Sequence, residues 1–157
     1  MSGAADIGAS AAAQANPGTI PSFTGSLAPG VHVVGGMGNA LSIETGLGIV
    51  QVDTGISAPQ AQSMLAKLRE LSDAPLHAIA YSHGHLGYNN AVQTWVQSSA
   101  VRGDAPPRII AHENLVKRWK RYRETEGLQQ FFVELQFRMP VGSMTQALAL
   151  HMPTETF

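Results

Sequence analysis

The residues PLHAIAYS, 75–82, are almost wholly apolar and lie between two stretches of helical periodicity. A strand that short and that apolar is buried on both faces, as inside a layered α/β sheet. Upstream, Ala61, Met64, Leu65 and Leu68 recur at helical spacing and Leu71 continues the stripe. Ser57 is placed as an N-cap and Pro59 falls in the first turn. Downstream, AVQTWVQSSA (91–100) reads as a helix and PPRIIAH (106–112) as a second short strand. A long helical region starts at Glu113 and breaks near Gly127, with Leu128, Phe131, Phe132 and Leu135 on one stripe of its second half. Strands separated by helices need crossover connections, which build a sheet covered by helices.

The N-terminal part follows another pattern. GVHVVGG (30–36), ALSIET (40–45) and IVQVD (49–53) read as strands, joined by turns at MGN (37–39) and GLG (46–48). They predict an antiparallel meander of three strands, followed by helix–strand–helix–strand–helix. Residues 1–28, rich in Ala, Gly, Ser and Pro, read as a loosely ordered arm, and residues 29–157 as one α/β domain.

Composition narrows the function classes. The chain has no cysteine, which excludes disulfides, thiolate metal sites and cysteine nucleophiles. With 44% apolar and 13% charged residues and a net charge of −1, it has no global polyelectrolyte character directed at nucleic acid or an anionic membrane. Lysine and arginine are absent before Lys67, so MSGAADIGASAAAQANPGT has no basic start of the kind a secretory signal or transit peptide needs. No segment approaches the roughly 20 apolar residues of a membrane span. The expectation is a soluble, cytoplasmic protein.

Active sites of α/β sheets gather at the carboxyl ends of strands. Two such ends are polar here: Asp53 after IVQV, and Ser82–His85 after LHAIAY. Side chains at i and i+2 of an extended segment point the same way, so His83 and His85 can converge on one metal ion. Neutral imidazole is a common zinc ligand, and Gly84 lets the backbone turn between the two.

The succession IVQVDTG, amphipathic helix, buried strand, then AYSHGHLGYNN resembles the metallo-β-lactamase fold family over about residues 31–125. RIIAHENLVKR, RYRETEGL and PTETF are most similar to its alkylsulfatase-like branch. The resemblance implies half of an αββα sandwich, incomplete at PTETF, as in the N-terminal half of a longer protein. It implies that His83 and His85 are ligands of a first zinc ion and that Asp53 supports them from behind. The family motif His-x-His-x-Asp-His places its aspartate on Gly87 and its final histidine on Tyr88. Glycine offers no ligand atom, and a phenol, which keeps its proton at neutral pH, is a poor zinc ligand. One zinc rather than two is therefore expected, with Tyr88 as a candidate catalytic residue in place of the second metal site. Tyr88, Asn89 or a downstream residue is left to compensate. The third ligand of the first metal is not identified.

The other histidines read differently. His112 ends its strand in a capping or packing role, His32 and His77 are structural residues within strands, and His151 is unassigned. GGMGNA (35–40) is glycine-rich like a phosphate loop, but a strand follows it, so it reads as a hairpin turn. KRWKRYR (117–123) interleaves basic and aromatic residues as a nucleic-acid contact would. At helical spacing Leu115, Trp119 and Tyr122 instead share a stripe beneath a cationic outer face, where an anionic substrate group such as a sulfate ester would suit the arginines.

The leading expectation is a metal-dependent hydrolase of ester or sulfate-ester small molecules. The alternative is a non-catalytic or truncated module acting through protein association, as a homo-oligomer or with a completing chain.

Overall fold

The structure, a computed structural model, describes residues 23–36, 38–142 and 150–157. The predicted N-terminal arm up to residue 22, and Met37 of the expected MGN turn, lie outside these. One seven-stranded sheet runs in sequence order. Its strands are β1 (Gly25–Ala28), β2 (Val31–Gly36), β3 (Gly38–Thr45), β4 (Gly48–Val52), β5 (Leu76–Ala80), β6 (Arg108–Ala111) and β7 (Glu155–Thr156). The first four pair antiparallel, whereas β4 through β7 pair parallel.

The meander has four strands where the sequence predicts three. Gly25–Ala28, assigned to the arm from sequence, pairs with β2 at the sheet edge (Gly25↔Val33, Ser26↔His32). GSLA has no apolar alternation, so this strand is set by the open edge of β2 rather than by its own pattern. At the opposite edge, Ile110↔Glu155 and Ala111↔Thr156 add β7, which the sequence does not signal.

Helix α1 (Ala58–Leu71) begins at Ser57, whose side chain accepts from the Gln60 N–H, and buries Ala61, Met64, Leu65 and Leu68. It packs on β2 and on α2 (Val92–Arg102). The long helical region, expected to break near Gly127, is two helices, α3 (Glu113–Glu124) and α4 (Glu126–Gln136). They part at Thr125, whose hydroxyl donates to the Arg121 carbonyl at 2.9 Å, and not at Gly127, which lies in the first turn of α4.

The core gathers Val34, Ile49, Met64, Leu68, Ile79, Trp95, Leu115 and Trp119 into one cluster on the helix side of the sheet. On the opposite side, the cross-strand pairs Leu41↔Val52 and Ile43↔Val50 are apolar but only half-buried. The predicted stripe of α4 is present, yet Leu128, Phe131, Phe132 and Leu135 remain exposed. Among the described residues, no helix is long and apolar enough to cross a membrane.

Candidate functional site

Strands β4 and β5 are parallel neighbours with Val52 opposite Ala80, so Asp53 and the Tyr81–Ser82 pair leave the sheet side by side. The Asp53 N–H donates to the Ala80 carbonyl at 3.0 Å. Asp53 has φ 59°, a left-handed conformation uncommon outside glycine. Its nearly buried carboxylate accepts the Ser82 N–H (3.0 Å) and the Asn89 side-chain amide (2.8 Å) at Oδ1, and the Ser82 hydroxyl at Oδ2.

Ser82 Oγ also lies 2.7 Å from His83 Nδ1. Serine has one hydroxyl proton and a carboxylate only accepts, so that proton faces Asp53. Nδ1 of His83 then carries its own hydrogen and donates to Ser82 Oγ. The free lone pair of the neutral ring is on Nε2, the nitrogen left for a metal or a proton.

The structure brings His83, His85 and Tyr88 together. The two imidazoles are edge-on with centroids 4.7 Å apart, and the Tyr88 ring lies 4.4 Å from His83 and 6.3 Å from His85. The loop is fastened from beneath: the Thr54 and Gly55 N–H groups donate to the Tyr88 carbonyl at 3.1 and 2.9 Å, and Trp95 Nε1 donates to the Thr54 carbonyl at 3.0 Å. Gly87 has φ +100°, a conformation L side chains rarely adopt, so the loop differs in backbone as well as in residue from what an aspartate would favour. Asn89, considered above as a compensating residue, is buried with its amide on Asp53.

Helix α3 closes the other side. Trp119 Nε1 donates to the Gly84 carbonyl at 3.2 Å, and the Trp119 ring lies 5.5 Å from that of Tyr81. Burial, and secondarily the charge of Asp53, pushes the Tyr81 phenol well above its ordinary pKa range. Its hydroxyl donates to the His151 carbonyl at 3.0 Å. His112 caps α3, accepting the Asn114 N–H at 3.1 Å, as the capping reading expects. His32 is held within the meander by Ser26 and Glu44, and His77 lines a hollow with Leu47 and Pro75.

Among the described residues, no group of three or more His, Cys, Asp or Glu is placed to hold a metal ion. The donor chemistry fits zinc as far as two imidazoles, one with its tautomer fixed; a third protein ligand is not among them. The sequence named Asp53, His83, His85 and Tyr88 but not the linking roles of Ser82 and Asn89. Both stand in the quoted motif, yet their contacts to Asp53 span 29 and 36 positions.

Part of this fold superposes on known structures. A stereoselective inverting sec-alkylsulfatase from Pseudomonas sp. superposes with a TM-score of 0.51 at 21% identity, over 61% of this chain and 16% of that one. A metallo-β-lactamase from Cronobacter sakazakii gives 0.50 at 20% identity, over 62% of this chain and 36% of that one. The chain forms part of a metallo-β-lactamase fold. Within that fold its sequence relationship is alkylsulfatase-like: it is 39% identical over 74 residues to a linear primary-alkylsulfatase of Pseudomonas sp. (strain ATCC 19151). That match takes in 47% of this chain and 14% of the relative, so the chain spans about a seventh of the alkylsulfatase's length. No family model matches the chain.

Proposed function

We propose that the chain carries the two-histidine part of the reaction centre of a hydrolase acting on ester or sulfate-ester small molecules. The observation that supports it most is the convergence of His83 and His85 at the strand ends, with Asp53 and Ser82 holding Nε2 of His83 free. The alkylsulfatase-like relationship supports the substrate class. His83 and His85 would hold one zinc ion, with a further ligand from outside the described residues. Zinc, when bound, supplies a Lewis acid and lowers the pKa of its water toward about 7. Asp53 orients His83 through Ser82 and holds the loop through Asn89. Tyr88, beside both rings, supplies a phenolic donor to a substrate oxygen, where a second metal would otherwise neutralise charge.

Calorimetric titration of zinc into the purified chain tests this. The chain should bind one ion, and His83→Ala or His85→Ala should abolish binding. Ser82→Ala, which keeps both imidazoles but breaks the link to Asp53, should weaken binding about tenfold. Zinc binding that survives the loss of both histidines would sink the proposal.

The second reading, a non-catalytic module acting through association, is favoured by Gly87 and by the exposed apolar residues of α4. It expects concentration-dependent self-association or a completing chain, and no metal-linked turnover of nitrophenyl esters or sulfates.

A further inference from the structure

Five basic residues crowd α3 between 117 and 123, and their surroundings separate them. Lys117 pairs with Glu113 at 2.8 Å, and Arg121 with Glu124 at 3.1 Å. Arg123 donates to the Leu150 carbonyl at 3.3 Å. Lys120 borders neither of the two cavities beside the His-Gly-His loop, whereas Arg118 borders both.

The larger cavity, about 380 Å³, lies between the loop, α3 and α4. Its wall carries His85, Tyr88 and Arg118, with Gln129 and Gln136 as further polar residues, and Leu86, Phe132 and Phe137 as apolar ones. The smaller, about 290 Å³, has His83, His112 and Arg118 on its wall. Arg118 is therefore the cation shared by both approaches to the two imidazoles.

Its stem crosses Gly84, where an added Cβ would meet Arg118 Cδ at 2.9 Å. Its head is held by Tyr122: Nε donates to the Tyr122 hydroxyl at 2.6 Å, and Cζ lies 5.2 Å from the centre of the Tyr122 ring. Among the described residues no carboxylate pairs with it. A guanidinium held by a phenol rather than an acid is not neutralised by that partner, and its charge stays available to an anion.

We propose that Arg118, positioned by Tyr122, is the specificity-determining residue of this site. It selects an organic anion whose apolar part lies against Leu86, Phe132 and Phe137. The charge read by Arg118 belongs to the ligand whether or not it is the group cleaved. The assignment rests on the His83–His85 loop being the reaction centre, but binding tests it without turnover.

The probes are octyl sulfonate, whose carbon–sulfur bond is not an ester, and octanol, both titrated below micelle-forming concentrations. The chain should bind the sulfonate at least about tenfold more tightly than the alcohol, the size of one charge-assisted hydrogen bond. Arg118→Met keeps the stem over Gly84 and should bind both probes alike. Arg118→Lys should recover part of the preference, and Tyr122→Phe should weaken the sulfonate alone. A wild-type chain with no preference, or Arg118→Met retaining it, overturns the assignment. A chain that prefers the sulfonate yet hydrolyses no ester upholds Arg118 and removes the hydrolase reading. One that hydrolyses esters with no charge preference does the reverse.

Discussion

Gly87 occupies the position at which a metal-binding aspartate is expected from the family motif, and its φ of +100° explains why glycine suits it. Among the described residues, an added Cβ there would meet only Ile56 Cγ2, at 3.9 Å. The obstacle to a side chain is conformational, and costs about 1–2 kcal/mol for an L residue. Gly87→Asp and Gly87→Ala should both lower the melting temperature by roughly 2–8 °C, as expected for a domain of this size. If Gly87→Asp melts with the wild type, the loop does not hold this conformation. Asp53, by contrast, takes its positive φ with a side chain, because three hydrogen bonds from Ser82 and Asn89 fix that carboxylate.

At the scale of elements, α3 both covers the core and holds the histidine loop. Trp119→Phe keeps an aromatic ring against Tyr81 but removes the Nε1 donor to Gly84 and part of a buried indole's volume. It should cost about 1–3 kcal/mol and speed amide hydrogen exchange across 83–85. Unchanged exchange there would show that the clamp does not restrain the loop. The helices also show which local signals can be read in advance. The stripe and cap of α1 are correct residue by residue, because contacts at i+3 and i+4 are written into neighbouring positions. The division between α3 and α4, expected near Gly127, falls two residues earlier at Thr125. Glycine's low helix propensity is tolerated in a first turn, whereas the Thr125 hydroxyl bonds back to Arg121.

Across the whole molecule, Tyr81 connects the end of β5, α3 and the segment at His151. Its raised pKa means that the folded chain retains a proton the unfolded chain releases. Stability is therefore intact below about pH 10, the unfolded value, and declines as pH rises beyond it. In an alkaline titration, the Tyr81 phenolate absorbance should appear only as the fold is lost. Tyr81→Phe should flatten the stability profile above that pH. Phenolate signal from all three tyrosines in a still-folded chain would exclude this burial.

The sequence by itself determined the layered α/β class, the buried strand at its centre, α1, and the facing pair His83 and His85, since each rests on periodicity or on i, i+2 geometry. It also exposed the glycine and tyrosine that depart from the metal motif. The tertiary structure alone decided how that pair is held. Only the parallel pairing of β4 and β5 brings Asp53 to Ser82 and Asn89, and only the packing of α3 sets Trp119 on Gly84 and Arg118 beside both histidines. Edge strands β1 and β7 came the same way, from a neighbour's unpaired backbone. Hydrogen bonds between residues tens of positions apart have no period in the chain, and exist only once the sheet has put their ends together.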